Sequence, residues 1–105
     1  MNPSSNADKA INLTVLPFSM GSDKDMALKP LEEAAEAFGA WQNADGHHFA
    51  ISSERENILY ECCDTIQATC NLIGSIGYSN REVDEMMQKV TRHNIARGRY
   101  DNDAD

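Results

Sequence analysis

Two pairs of carboxylates stand one helical turn apart in this chain. Glu33 and Glu36 lie in Leu31-Glu32-Glu33-Ala34-Ala35-Glu36-Ala37-Phe38, and Glu61 and Asp64 in Leu59-Tyr60-Glu61-Cys62-Cys63-Asp64-Thr65-Ile66. On a helix, i, i+3 spacing puts both members of a pair on one face. Each pair sits in an apolar segment expected to face a core. Carboxylates gathered near low-dielectric surroundings repel one another and lose hydration. A hard divalent cation with oxygen ligands is the natural partner for them.

The elements that must position these groups follow from periodicity and punctuation. Gly21-Ser22-Asp23 offers a turn and an N-cap. A first helix is expected from about Lys24 to Gln42, with Leu28, Leu31, Ala35, Phe38 and Trp41 or Gln42 along its apolar stripe. Pro30 either begins that helix or kinks it. Asn43 to His48 reads as a loop. Ser53-Glu54-Arg55-Glu56 matches a capping box and opens a second helix running to Ile73 or Ile76. Its apolar positions are Ile58, Leu59, Cys62, Cys63, Ile66, Thr69, Cys70 and Ile73. Asn57, Glu61, Asp64, Gln67 or Ala68, and Asn71 make a separate polar row. Asn80 is expected to cap a third helix, about Arg81 to Arg97, with Val83, Met86, Met87, Val90 and Ile95 inward and Gly98 closing it. Ile11 to Phe18 is expected to be an extended segment laid over the helices.

The fold class is therefore all-α, in a single domain of 105 residues. Residues 1–18 read as a flexible or extended arm and 101–105 as a flexible acidic tail. Helices one and two should form an antiparallel hairpin that brings the acidic pairs together. Three helices this apolar cannot all be covered in so short a chain. A four-helix core completed by a second subunit is expected, in a homodimer or homotetramer.

The net charge of −8 argues against nucleic acid or an anionic membrane as the main partner. Positive charge gathers late, at Lys89, Arg92, Arg97 and Arg99. Cys62, Cys63 and Cys70 are badly spaced for a disulfide within the chain and read as small core residues of a reducing compartment. Met1 to Lys9 lacks the apolar run of a secretory signal, and no stretch approaches membrane-spanning length. A cytoplasmic protein is expected. His47 and His48 should be exposed in their turn, and His93 on the surface or at a subunit contact. Phe38 and Trp41 read as core before base-stacking residues.

Glu32-Glu33-x-x-Glu36 followed by Glu61-x-x-Asp64 resembles the signature of the MazG-like, all-α nucleoside triphosphate pyrophosphohydrolases. The 24 residues between Glu36 and Glu61 fall within that family's usual gap. Leu28-Lys29-Pro30-Leu31-Glu32-Glu33-Ala34-Ala35-Glu36 also resembles its LKxxEEaxE run. The resemblance covers roughly residues 25–100. It implies hydrolysis of a (deoxy)nucleoside triphosphate between the α and β phosphates, giving the monophosphate and pyrophosphate. It implies Glu33, Glu36, Glu61 and Asp64 as catalytic magnesium ligands, with manganese as a substitute and Glu32 as a further contact to metal or water. One of the glutamates would be the general base. Magnesium keeps several waters, neutralises phosphate charge and acidifies an attacking water. Lys89, Arg92, Asn94 and Arg97 resemble the phosphate-contacting end of the family, and guanidinium groups suit phosphate oxygens. Asn71 is expected to reach sugar or phosphate, or else to cap a buried backbone group, and Trp41 to stack on a base. The compact size suits a bacterial or bacteriophage enzyme that controls nucleotide pools or clears noncanonical nucleotides. Two other readings stand beside it: a non-catalytic acidic helical interaction module, and a related hydrolase that also accepts nucleoside diphosphates.

Overall fold

The structure, a computed structural model, describes residues 9–101. The outer parts of the expected arm and acidic tail, residues 1–8 and 102–105, lie outside the described residues. The described residues form three α-helices and no strand: α1 (Asp23–Asp45), α2 (Ser52–Ile76) and α3 (Asn80–Ala96). The all-α expectation holds. Contacts divide the chain into two units, one of residues 15–77 and the other of residues 9–14 and 78–101.

α1 and α2 pack on each other in the first unit. α1 starts at Ser22, whose hydroxyl accepts from Asp25 N while the Asp25 carboxylate accepts from Ser22 N. This reciprocal pair satisfies two of the orphan donors at the helix start. Pro30 neither begins nor ends α1, which runs through it to Asp45. The helix therefore takes in the first part of the segment expected to be loop. A short turn follows, with His48 and Phe49 both at positive φ, 52° and 61°. Tight reversal imposes that conformation, which is uncommon for side chains with a Cβ.

The expected capping box at Ser53 does not form. α2 begins two residues earlier, after Ile51, which offers no side-chain cap. The physical reason lies in the backbone: the Ile51 carbonyl already accepts from Glu54 N and Arg55 N, so Ser53 sits inside the first helical turn and cannot act as its cap. Gly77, at φ 97°, ends α2 in the left-handed conformation that glycine takes without steric cost.

The direction of packing follows from which residues meet. His47 and Glu54 meet at the turn, Glu33 meets Glu61 and Asp64 further along, and Met26 shares a cleft with Ala68 and Asn71 at the far end. The two helices are thus antiparallel, as expected.

The seam between them is not the expected one. On α1 it comprises Met26, Pro30, Glu33, Ala37, Ala40 and Ala44, all buried or half-buried, at alternating intervals of four and three. Small alanines allow close approach, and Ala44 is fully buried. Leu31, Phe38 and Leu59 instead stay more than half exposed, and Leu28 is exposed as well. Cys62 and Cys63 are also exposed, so they are not the core residues expected, although all three cysteines are free thiols. Two stripes of equal period run along each helix, and period alone does not rank them.

α3 lies in the second unit. Its N-cap is Ser79, not Asn80, with Glu82 completing a capping box. The sequence contained the reason: Ser79 has a glutamate three residues on, whereas Asn80 has Val83. Met86, Met87 and Val90, expected inward, are exposed, while Val83 and Ile95 are half-buried. Gly98, at φ 74°, follows the helix end as expected.

Candidate metal centre

Packing the antiparallel pair along this seam carries carboxylates from both helices to one place. Glu33 of α1 meets Glu61 and Asp64 of α2, each offering an oxygen, and these three atoms lie within 4.8 Å of one another. All three residues are half-buried, and only 14% of the Glu33 side chain is exposed. Glu33 Oε2 and Glu61 Oε2 are buried without a hydrogen-bond partner. An unpartnered buried carboxylate oxygen is costly, and two such atoms facing a third carboxylate want a cation. The donor set is all oxygen, which suits magnesium, manganese or calcium and not a thiolate-seeking metal. The residues present therefore fit a hard divalent ion.

Glu36 flanks this cluster. Exposed on the next turn of α1, it acts on Glu33 through charge and hydrogen bonding. Glu32 is turned to the surface beside Lys29, whose Nζ lies 3.5 Å from Glu32 and 3.8 Å from Glu33. Of the five expected acidic ligands, three converge, Glu36 adjoins them, and Glu32 stands in an ion pair outside.

Glu33 holds its proton above the ordinary value of 4.5, chiefly because burial disfavours its charge. The Glu36 charge and hydrogen bond add to this, then the Asp64 charge, and Lys29 pulls the other way. A raised folded-state pKa means that the folded chain keeps a proton the unfolded chain has lost. The resulting stability is present below about pH 4.5 and disappears as pH rises through the folded value. Metal-free native protein should therefore lose more thermal stability between about pH 4.5 and 7 than Glu33→Gln does. Parallel melting curves for the two proteins would contradict this account.

A cleft beside the cluster is walled by Asp25, Met26, Lys29, Glu32, Ala68 and Asn71. Its volume, about 220 Å³, falls short of the roughly 300–1,000 Å³ of sites that enclose a whole organic ligand. Asn71 is buried at its wall, and its Oδ1 accepts from Phe18 N. It caps a backbone group, one of the two roles expected for it.

Trp41 and Phe38 are not core. Both are exposed and stack on each other with centroids 5.9 Å apart, and Phe49 tilts against Trp41. Trp41 follows Glu33 by eight residues, which places it about 80° around α1, on the opposite side from Glu36. On α3, Lys89, Arg92 and Arg97 are exposed and make no ion pair among the described residues. Asn94 is half-buried, and its carbonyl accepts from Arg99 N.

Sequence reasoning missed Gln67 as a structural partner of Asn71. The polar row had placed both on one face, but without the arm's position the row did not say what they hold. Among the described residues no helix is long and apolar enough to cross a membrane. Compared with protein-family models, curated proteins and solved structures, the chain has no match.

Proposed function

We propose that this protein is a magnesium-dependent nucleoside triphosphate pyrophosphohydrolase of the MazG-like kind, cleaving between the α and β phosphates. The observation that carries this reading is the convergence of Glu33, Glu61 and Asp64 with two buried, unpartnered carboxylate oxygens. Structural surface charge has no reason to leave such atoms unpaired.

Glu33, Glu61 and Asp64 would hold the metal, with Glu36 beside them. When bound, magnesium supplies charge neutralisation at the phosphates and acidification of the attacking water. The chain's own groups do the rest. The half-buried seam limits water around the carboxylates and strengthens their electrostatics. Lys29 tempers the repulsion among Glu32, Glu33 and their neighbours. Lys89, Arg92 and Arg97, on α3 of the other unit and without an ion pair among the described residues, carry charges of the kind that suit phosphate oxygens. One of the carboxylates takes the proton from water. The setting proposed is the cytoplasm of a bacterium or a phage-infected cell, in nucleotide-pool control or clearance of noncanonical nucleotides.

The small open cleft and the exposed apolar outer faces of α1 and α2 support a further element of the proposal: a homodimer or homotetramer whose core is a four-helix bundle. The same apolar faces favour the second reading, a helical interaction module without catalysis. Thermal unfolding separates the two. An ion that binds only the folded state at about 100 times its dissociation constant adds ~2.7 kcal/mol of stability. The enzyme reading expects a magnesium-dependent rise in melting temperature that Asp64→Asn removes. An unchanged melting temperature across the magnesium series would favour the module.

A further inference from the structure

Asn71 is the buried polar residue of this unit, only 6% exposed. Its Oδ1 accepts two hydrogen bonds, from Phe18 N at 2.8 Å and from Gln67 Nε2 at 2.9 Å. Gln67 Nε2 also donates to Leu16 O at 3.0 Å. Pro17, between these two contacts, lies against Gly74, where a Cβ would stand 3.1 Å from Pro17 Cβ. The segment Leu16–Phe18 is therefore strapped to α2 at three successive residues.

The strap fixes both carboxamides. A backbone N–H only donates, so the Asn71 atom facing Phe18 is oxygen. A backbone carbonyl only accepts, so the Gln67 atom facing Leu16 is nitrogen. The Asn71 NH2 group is then left without a partner among the described residues. Asn71 lines the cleft it shares with Met26, Lys29 and Glu32. Lys29 links that cleft to the acidic cluster through its ion pair with Glu33. Asn71 follows Asp64 by seven residues, about 10 Å along the helix axis. It therefore stands in the cleft wall about two turns from the carboxylates that would hold a metal.

We propose that Leu16–Phe18 and Gln67 are a positioning device for Asn71, holding its oxygen so that its NH2 group donates to an acceptor oxygen on the distal part of the substrate. This rests on the nucleotide reading above. A carboxamide pinned on its oxygen side cannot flip, so its donors are preorganised and the binding cost is reduced. Gln67 and the strap act through Asn71 and do not themselves touch the ligand.

The test compares Asn71→Asp and Gln67→Met in the full chain. Aspartate still accepts from Phe18 N and Gln67 Nε2 but has no donor for the cleft. Its KM for a nucleoside triphosphate should rise at least about tenfold, with kcat within a few-fold of native and magnesium affinity unchanged. Gln67→Met keeps the side-chain volume and removes the pin, so KM should rise as well. The double variant should be no worse than Asn71→Asp alone, because both changes break one relay. Inorganic tripolyphosphate as a competitor distinguishes the two sources of the acceptor oxygen. If Asn71→Asp also weakens tripolyphosphate inhibition, the oxygen belongs to a phosphate; if only nucleotide suffers, it belongs to the nucleoside. Native turnover with KM unchanged in both single variants would overturn the assignment and leave the nucleotide reading standing. Should Asn71→Asp fail to fold, the KM of Gln67→Met decides alone, a rise supporting the device and no change overturning it. A native protein that neither binds nor hydrolyses any nucleotide would overturn both.

Discussion

Replacing Glu61 by glutamine should reduce magnesium-dependent pyrophosphate release by at least about 100-fold, since even groups that merely orient a metal's ligands are worth roughly 10–100-fold. The substitution keeps the shape of the side chain and one carbonyl oxygen. It removes the negative charge and puts an NH2 donor in place of one of the two carboxylate oxygens, where Oε2 is buried and unpartnered. Fold loss is not the expected cause. Without metal, Glu61 sits among other carboxylates within 4.8 Å, and neutralising one relieves repulsion. Metal-free Glu61→Gln should therefore melt no lower than native protein, while its magnesium-dependent stabilisation disappears. Activity close to native in this variant would remove Glu61 from the metal site. A large drop in metal-free melting temperature would mean that the side chain serves the seam instead.

The second large effect concerns the outer faces. Leu31 is 68% exposed and Leu59 63% exposed, on surfaces of α1 and α2 turned away from the seam. If these exposed side chains belong to a subunit interface, as proposed, each is a place to break it. Burying one leucine contributes about 1.5–3 kcal/mol, and a two-fold interface counts it twice. Leu59→Glu should then weaken self-association by about 3–6 kcal/mol, roughly 10²–10⁴ in dissociation constant, before any charge-burial cost. Light scattering after size exclusion should find native protein as a dimer or tetramer and Leu59→Glu as a monomer at the same concentration. Leu31→Glu provides an independent site on the other helix. A native protein that is monomeric at tens of micromolar would contradict the oligomer.

The contrast between seam and outer face also marks what the sequence made legible. Three helices, their order and the Gly98 stop of the third were readable because periodicity and punctuation are local. The cap within Gly21-Ser22-Asp23 was readable for the same reason, and the structure places it at Ser22. The meeting of Glu33 with Glu61 and Asp64 followed from two helices joined by a short turn. What was not readable is which stripe of each helix faces the other. Leu28, Leu31 and Phe38 repeat with the same period as Met26, Glu33 and Ala40, and burial is decided by the partner surface, which lies far away in sequence. Ser53 failed as a cap because the turn before it set Ile51 as the first helical acceptor, which the local S-x-x-E pattern does not reveal. Asn71 fell in between. Its place in the polar row was visible, yet its hold on Phe18 depends on a contact 53 residues away.

The central claim is that the acidic seam supports hydrolysis between the α and β phosphates of a nucleoside triphosphate. It is tested most directly by following the products of native protein with magnesium across a panel of ribo- and deoxyribonucleoside triphosphates. Phosphorus NMR separates the possible products in one spectrum. The account predicts nucleoside monophosphate and pyrophosphate in equal amounts from at least one member of the panel, and none when the metal is chelated. Release of orthophosphate and nucleoside diphosphate, or no turnover of any nucleotide, would contradict it.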